Sequence, residues 1–391
     1  MATVLRHSCL GTSLINLFVI SVATGYVTGN TIQNISLTPA GRVGCTLNEG
    51  CVVPDSKLDF LIIGDTGGLP IYPYYSYAQN QVARAMARTA DKGSNSLDFV
   101  LNLGDNFYFN GVEDIYDSRF EKSFEEVYSD LALSVPWFTI AGNHDHLGNI
   151  SAQLMHTNFS SKWTFPKLFY KVRYKFGSAS TPTIVDILML DTIVLCGNTV
   201  DVQGESLFSW IFSKKKDPNG PPPEYVELAA EQWRWIEDNL RDSDADFLLV
   251  AGHYPVYSTS EHGPFKCLIE KLDPLLRKYE VTAYFNGHDH NLQHIRLLKP
   301  GGNDKGTTMN YFVCGAASRS DRSFKNSDAV PENALIFRYP TGWNPFSQIG
   351  FSNGAFIHAE INADRMQMKF YTGKQDVKYE TTLFPRRNNK R

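Results

Sequence analysis

The chain lacks a strong charge of either sign. Its 391 residues include 37 Lys and Arg against 41 Asp and Glu, which gives a formal net charge of −4. The one basic run of note is Lys214-Lys215-Lys216. Nucleic acids and acidic membranes attract proteins through extended basic patches. The sequence therefore indicates neither nucleic acid nor membrane as a partner.

Long apolar runs are also scarce, and the one present lies at the N-terminus. Arg6 precedes a mostly apolar segment, Leu10 to Val22, which is followed by small residues up to Ala23. This pattern is typical of a signal peptide, placed at residues 1–23. The run is short for a membrane span, and no second one follows. We therefore expect a secreted or lysosomal protein, with a retained N-terminal anchor as the alternative.

Cysteine is sparse, with six residues in the chain. Cys9 would leave with the signal peptide, and the remaining five cannot all pair with one another. A small Cys45–Cys51 loop is one option in an oxidising compartment. Three Asn-x-Ser sequons predict N-glycans and fit the same compartment. The glycan acceptors are Asn34, Asn149 and Asn158.

The rest of the chain divides by composition. Residues 24–54 are rich in Thr, Asn, Ser and Gly and predict a loose leader. A single domain is expected over residues 55–385, followed by a basic tail, 386–391. Short apolar runs alternate there with helical patterns, which favours parallel strands joined by crossover helices. The stretch from Met309 to Tyr371 alternates more and predicts a second, more antiparallel sheet.

Individual elements follow from these periods. Six runs have strand character: Phe60–Ile63, Phe99–Leu103, Val135–Ile140, Thr183–Leu190, Phe247–Val250 and Val281–Phe285. Three apolar repeats predict helices: Val82, Met86 and Ala90; Phe120, Phe124 and Val127; Trp233, Ile236 and Leu240. Residues 197–227 predict a long loop, because the segment contains Lys214–Lys216 and a run of prolines ending at Pro223. Loops of this length are commonly functional or mobile.

Five short blocks carry polar residues suited to metal ions, and four of them directly follow an apolar run. In open α/β sheets, ligands bind beyond the carboxyl ends of the strands, where such residues would meet. The blocks are Gly64-Asp65-Thr66-Gly67, Gly104-Asp105-Asn106-Phe107-Tyr108, Gly142-Asn143-His144-Asp145, Gly252-His253 and Gly287-His288-Asp289-His290.

Asp65 and Asp105 each follow a glycine, which allows a sharp turn that brings the carboxylate to the sheet edge. Either Asp alone would fit an ordinary Asx turn. Together with Asn143 and three histidines in equivalent positions, they indicate a shared site. Carboxylates, an amide oxygen and imidazoles suit hard or borderline cations. Because two adjacent cations repel, they need a bridging carboxylate, and Asp105 is the natural bridge. The sequence predicts a metal pair that acts on phosphate.

Tyr108 distinguishes between kinds of metal pair. A tyrosine three residues after Asp105 could simply pack in the core. As a phenolate ligand it would require a highly charged ion, for which Fe(III) is the obvious candidate. The residue therefore separates a ferric site from a generic divalent one.

The five blocks resemble the motif set of the purple acid phosphatases, in their small mammalian-type form. The resemblance runs from about Lys57 to the Pro385-Arg386-Arg387 tail and includes Glu261-His262-Gly263-Pro264. It implies the metallophosphoesterase fold, an α/β four-layer α/β/β/α sandwich of two mixed sheets flanked by helices. It also implies an acid phosphatase that hydrolyses phosphate monoesters, either small esters or phosphoproteins.

The same resemblance implies roles for individual residues. Asp65, Tyr108 and His290 would hold Fe(III), and Asp105 would bridge. Asn143, His253 and His288 would hold a divalent ion: Fe(II), Zn(II) or Mn(II). His144 would contact phosphate, Glu261 would orient substrate, and His262 would protonate the leaving group. His144 and His262 could also be ordinary surface histidines.

Two further expectations come from the family. Cys196–Cys267 would form a disulfide, which leaves Cys314 as a buried thiol. The loop over residues 197–227 would overhang the site, so a protease cutting near Lys214–Lys216 would activate the enzyme; a plain solvated loop is the alternative.

The expected reaction is attack on phosphorus by a metal-activated hydroxide. With His262 as the acid, it predicts an acidic optimum. A phosphodiesterase or nucleotidase is the second interpretation, although Tyr108 argues against it. An iron-binding or iron-carrying glycoprotein with incidental phosphatase activity is the third.

Overall fold

The computed structural model describes residues 50–91, 97–197, 223–298 and 308–386. The predicted signal peptide, most of the leader, Asn34 and Cys45 lie outside these ranges. Residues 198–222, with most of the predicted loop and its Lys214–Lys216 cleavage site, also lie outside them, as does the tail beyond residue 386. These expectations therefore stay predictions.

One sheet is built from eight strands of the described residues, in the order β1-β6-β7-β8-β9-β11-β10-β12. Neighbours from β7 through β8 and β9 to β11 run parallel, whereas β10 pairs antiparallel with both β11 and β12. The strands are β1 (Cys51–Val53), β6 (Tyr170–Gly177), β7 (Pro182–Met189), β8 (Phe247–Ala251), β9 (Ala283–Asn286), β10 (Leu292–Leu297), β11 (Met309–Cys314) and β12 (Leu335–Tyr339).

The other sheet has seven strands within the described ranges, in the order β15-β14-β13-β2-β3-β4-β5. Strands β2 to β5 are parallel to one another, and β13 to β15 continue the sheet in antiparallel pairs. The strands are β2 (Leu58–Ile63), β3 (Phe99–Asn102), β4 (Trp137–Thr139), β5 (Trp163–Thr164), β13 (Ala355–Ile361), β14 (Met366–Thr372) and β15 (Val377–Leu383).

The two sheets pack face to face through aromatic side chains. Phe99 of β3 stacks on Tyr174 of β6 with ring centroids 4.9 Å apart. Phe312 of β11 meets Phe370 of β14 at 5.9 Å. Apolar residues on both faces of β2 and β3 are fully buried, as expected for strands covered on two sides.

Helices cover the outer faces. Ile236 and Leu240 of α4 (Pro223–Asp242) and Leu268 and Leu272 of α5 (Lys266–Lys278) pack with Leu248 of β8 in one buried cluster. Together the layers form the predicted α/β/β/α sandwich of two mixed sheets. The helices are α1 (Tyr77–Asp91), α2 (Ile150–His156), α3 (Thr192–Leu195), α4 (Pro223–Asp242) and α5 (Lys266–Lys278). No helix among the described residues is long and apolar enough to cross a membrane.

Three sequence expectations need correction. The stretch from Met309 to Tyr371 does not form a sheet of its own, because β11 and β12 join one sheet and β13 and β14 join the other. Residues 223–227 of the predicted loop are helical, since α4 begins at Pro223; proline fits the first helical position because its missing N–H is not needed there. The repeat at Phe120 and Phe124 forms a π-helical turn, Phe120–Glu125, instead of an α-helix.

The cysteines follow the family expectation where they are described. Cys196 and Cys267 form a disulfide with Cα atoms 5.6 Å apart. Cys314 is a free, buried thiol at the end of β11, and burial raises its pKa. Cys51 of β1 is disulfide-bonded, and Cys45, its expected partner, lies outside the described residues.

Candidate metal centre and active-site cleft

The predicted ligands lie beyond the carboxyl ends of parallel strands in both sheets. Asp65, Asp105 and Asn143 follow β2, β3 and β4 of the seven-stranded sheet. His253 and His288 follow β8 and β9 of the eight-stranded sheet. Because the two sheets face each other, their ends converge, and the structure brings all these side chains to one site.

A first group of donor atoms, cluster 1, consists of Asp65, Tyr108 and His290. The Tyr108 hydroxyl donates to Asp65 Oδ1 at 2.9 Å and lies 3.0 Å from His290 Nε2. His290 Nε2 is in turn 3.3 Å from Asp65 Oδ1. Three oxygen and nitrogen donors therefore enclose one point, with Asp65 and Tyr108 fully buried.

A second group, cluster 2, consists of Asp105, Asn143, His253 and His288. His253 Nε2 lies 3.0 Å from Asn143 Oδ1 and 3.3 Å from Asp105 Oδ2. His253 Nδ1 donates to the Leu103 carbonyl at 2.8 Å, which turns Nε2 toward the cluster. Donor atoms of Asp105, His253 and His288 all lie within 4.8 Å of one another. The group therefore has the composition of a divalent-cation site.

Asp105 belongs to cluster 2 and also lines the cleft. It is buried beside the imidazoles of His253 and His144. Burial raises its pKa, but His253 and His144 outweigh that effect and hold the pKa well below its usual range. Its other oxygen, Oδ1, accepts the His144 backbone N–H at 3.0 Å. Conversely, although burial lowers the pKa of His253, Asp105 raises it to about 9. A cation in cluster 2 would replace the proton on His253.

The two clusters fit metal ions by distance and by chemistry. Within each, neighbouring donors are 2.9 to 3.3 Å apart. Atoms bonded at about 2.1 Å to a common metal are separated by roughly 3.0–3.4 Å. Burial raises the pKa of Tyr108 well above 10, and Asp65 and Asp105 add to the effect. Only a strongly polarising ion would displace that proton, which distinguishes cluster 1 from cluster 2.

Backbone conformation and close approach position these ligands. Asp65, Asp105 and His288 themselves have positive φ values of 60°, 51° and 70°. Left-handed backbone in non-glycine residues costs about 1–2 kcal/mol each and clusters at functional sites. Gly287 is required for space instead, because a Cβ there would lie 2.5 Å from Asp65 Oδ2. The turn at Asp65 therefore depends on the Asp itself, and not on its preceding glycine.

The three predicted catalytic residues line the mouth of the site. His144, Glu261 and His262 border one cleft together with Asp105 and His290. His144 Nδ1 donates to the Phe109 carbonyl at 2.6 Å, which leaves Nε2 4.0 Å from Asp105 Oδ2.

The segment carrying Glu261 and His262 is held by two buried carboxylates. The His262 N–H donates to Asp289 Oδ1 at 3.1 Å, and the Glu261 N–H donates to Asp321 Oδ2 at 3.3 Å. Glu261 also forms an ion pair with Lys325. The His262 ring lies 4.3 Å from that of His288, between centroids. Both side chains are thereby fixed beside cluster 2.

Arg319 borders the same cleft and was not among the predicted site residues. Its guanidinium lies over the Tyr108 ring, 4.0 Å from the centroid, and 4.9 Å from that of Phe109. It follows β11, which is parallel to β9, so the strand-end rule applied to Gly315–Arg319 would have found it.

Comparison with known proteins agrees with this geometry. Residues 58–292 match the family model of the calcineurin-like phosphoesterases. The chain is 40% identical to human tartrate-resistant acid phosphatase type 5 over 84% of this chain and 91% of that one. It is 28% identical to purple acid phosphatase 4 of Arabidopsis thaliana, covering 89% and 90%. GAP50, the anchor in the inner membrane complex of Plasmodium, shares the fold, with a TM-score of 0.64 at 24% identity over 86% of this chain and 91% of that one.

The chain thus belongs to the calcineurin-like phosphoesterases and, within them, to the purple acid phosphatases. It is an acid phosphatase, a phosphoric monoester hydrolase of the metallophosphoesterase type.

Proposed function

We propose that the enzyme hydrolyses phosphate monoesters at a dinuclear Fe(III)–M(II) centre, with M(II) being Fe(II), Zn(II) or Mn(II). The observation that carries this proposal is the pair of donor clusters, of which only cluster 1 contains a phenol. Cluster 1 would hold Fe(III), because Tyr108 needs a trivalent ion to lose its proton from a fully buried position. Cluster 2 would hold the divalent ion, and Asp105 would bridge the two.

The metal pair, when bound, would supply Lewis acidity and a hydroxide nucleophile for in-line attack on phosphorus. The protein side chains then orient and protonate the substrate. His144, with Nδ1 fixed on a carbonyl, presents Nε2 toward the cleft and would donate to a phosphate oxygen only as the imidazolium.

His262 is the general acid in this proposal. Its backbone is anchored to Asp289, and its ring stands beside His288 at the open side of cluster 2. A leaving alkoxide or phenolate there would take its proton. Since the imidazolium is required, activity falls as pH rises, which produces an acidic optimum. Glu261, restrained by Lys325, orients the substrate next to it.

A simple iron carrier would not need this second set of groups. Cluster 1 and cluster 2 alone would bind the ions, whereas Glu261 and His262 line the cleft without belonging to either cluster. Their presence favours turnover over storage as the function.

The acidic optimum fits a secreted or lysosomal location, which we propose for the protein. N-glycans at Asn149 and Asn158 would accompany that route, and both side chains are exposed. Asn149 Nδ2 donates to the Glu113 carbonyl at 3.2 Å, so glycosylation there would alter that bond.

The visible spectrum with metal analysis tests the proposal directly. A phenolate bound to Fe(III) gives a purple charge-transfer band, and Tyr108→Phe should abolish that band together with most phosphatase activity. Tyr170→Phe is the matched control, since Tyr170 is a buried tyrosine whose hydroxyl donates to the Thr139 carbonyl, outside the site. A colourless, zinc-only protein, or a band that persists in Tyr108→Phe, would overturn the ferric assignment.

A further inference from the structure

An apolar pocket lies directly beside the active-site cleft. It has a volume of about 180 Å³, and its lining includes the apolar residues Leu69, Pro70, Ile71, Ile349 and Phe351. The side chains of Ile71, Ile349 and Phe351 are 49%, 36% and 61% exposed. An apolar cavity of about 150 Å³ is enough to take up a benzene ring. The pocket therefore has the size and lining for a small aromatic or aliphatic group.

The pocket and the metal cleft share a wall. Phe109, Arg319 and Gln348 line both of them, and His144 and His262 border the same cleft. A molecule whose phosphate reaches the metal ligands would therefore extend its remaining part past these three side chains. The leaving group is the part of a phosphate monoester that points away from the reacting phosphorus.

Four backbone and hydroxyl groups that line the pocket are already paired within the protein. The Gly68 carbonyl accepts from Arg319 at 3.2 Å, and the Gly350 carbonyl accepts from the Ala78 N–H at 2.9 Å. The Ser318 hydroxyl donates to the Asp65 carbonyl at 2.7 Å, and the Ser318 carbonyl accepts from Ser76 at 2.5 Å. A polar leaving group would exchange its water for no new hydrogen bonds with these groups, which costs affinity. An apolar one loses nothing and gains the hydrophobic effect.

Arg319 keeps the shared wall in place. Its guanidinium is held against the Tyr108 and Phe109 rings and bonded to Gly68, and the residue is only 7% exposed. A guanidinium has five N–H donors, so donors remain for a phosphate oxygen on the cleft side. Arg319 thus separates an anionic compartment from an apolar one.

We propose that this pocket binds the leaving group and makes the enzyme selective for phosphate monoesters of apolar, aromatic or short aliphatic alcohols. The inference rests on the proposed phosphatase function and adds a substrate class to it. Ile349 and Phe351 are the specificity-determining residues, because they line the pocket but not the cleft and touch no predicted metal ligand among the contacts described.

The test is a series of esters that differ in bulk but hardly in leaving-group acidity: phenyl, 4-methylphenyl and 4-ethylphenyl phosphate. Each added carbon that enters the pocket should raise kcat/KM by up to about fourfold. The matching non-hydrolysable arylmethylphosphonates should show the same gradient in Kd with the metal-loaded enzyme, independently of turnover.

Variants of the pocket residues show whether the pocket causes the gradient in kcat/KM and Kd. Ile349→Ser and Phe351→Ser should flatten it, and Ile349→Trp, which narrows the pocket, should reverse it. Inhibition by inorganic phosphate, which has no leaving group, should not change in any of the three. Leu131→Ser is the matched control, since Leu131 is 88% exposed but lines neither pocket nor cleft.

The outcomes separate the two proposals. A flat series in the wild type, or a gradient that survives all three variants, would overturn the pocket assignment. A Kd gradient without any turnover would support the pocket and refute the phosphatase function. A gradient that Leu131→Ser also removes would point to a general surface effect and count against the pocket.

Discussion

His294 makes the stability of this fold depend on pH in the range where an acid phosphatase would work. The side chain is 1% exposed, on β10 at the interface of the two sheets. Its Nε2 donates to Asn310 Oδ1 at 3.1 Å, and its Nδ1 accepts from the Tyr379 hydroxyl at 2.9 Å. Both ring nitrogens are thus satisfied in the neutral form, and the ring packs on Phe312 with centroids 4.4 Å apart.

Burial lowers the pKa of His294 from 6.5 to about 4, and Arg296 adds to the effect against the hydrogen bond to Asn310. In the unfolded chain the imidazole binds its proton near pH 6.5, so acid stabilises the unfolded state first. The contribution of neutral His294 to the free energy of unfolding is therefore fully present above pH 6.5, and it is lost as pH falls toward 4. Between pH 7 and pH 5 this titration lowers the free energy of unfolding by about 2 kcal/mol, and the loss approaches roughly 3 kcal/mol below pH 4.

His294→Gln removes the titration while keeping an amide that can pair with both neighbours. We expect the free energy of unfolding to fall by about 2 kcal/mol less in the variant than in the wild type between pH 7 and pH 5. Urea unfolding of the metal-loaded enzyme at a series of pH values measures this difference. All other titrating groups are shared by the two proteins and cancel.

Tyr379→Phe is the control, because it removes a hydrogen bond but leaves His294 able to titrate. That variant should be less stable at both pH values and keep the pH dependence of the wild type. Parallel curves for the wild type and His294→Gln would refute the reasoning, since they would mean that His294 titrates alike in the folded and unfolded states.

Two remaining predictions concern the covalent and steric supports of the site. Replacing both Cys196 and Cys267 by Ser opens a loop with a separation of 71 residues, which should lower the free energy of unfolding by about 4 kcal/mol in the chain-entropy model; an unchanged urea midpoint would contradict this. Gly287→Ala places a Cβ 2.5 Å from Asp65 Oδ2 and 3.1 Å from the Leu103 carbonyl, and should lower metal content and reduce activity by about 100-fold. Gly177→Ala, where φ is positive but a Cβ meets nothing within 4 Å, is the control for a substitution without steric contact: equal losses in both variants would rule out the steric cause.

The convergence of the polar blocks on one site could be predicted because it depends on a local rule. Each polar block follows an apolar run, and parallel strands end at the same edge, so Asp65, Asp105 and Asn143 needed no knowledge of distant partners. The same rule held for His253 and His288. The disulfide and the roles of Glu261 and His262 came from family resemblance, since spacing alone does not pair cysteines or orient a loop.

The rest could not be read from the sequence because it depends on which strands pair. Alternation between Met309 and Tyr371 indicates antiparallel strands, but β12 and β13 show the same kind of alternation and belong to different sheets. Arg319 enters the site only because β11 lies beside β9, and that pairing crosses over β10 in the chain. Similarly, the sequence predicts that Gly64 allows the sharp turn, but the positive φ lies at Asp65 itself, and Gly64 is needed because a Cβ there would lie 2.8 Å from the Cys314 carbonyl.

Each donor cluster draws on both sheets, so its geometry depends on how closely the ends of the two sheets approach each other. Cluster 1 joins Asp65 and Tyr108 of the seven-stranded sheet to His290 beyond the eight-stranded one. Cluster 2 joins Asn143 to His253 across the same gap. Donors can come within about 3 Å only if the sheet ends approach closely, which is why glycines with no room for a Cβ stand at residues 64, 287 and 315. The aromatic core between the sheets therefore sets the ligand geometry, since it fixes how far apart those ends lie.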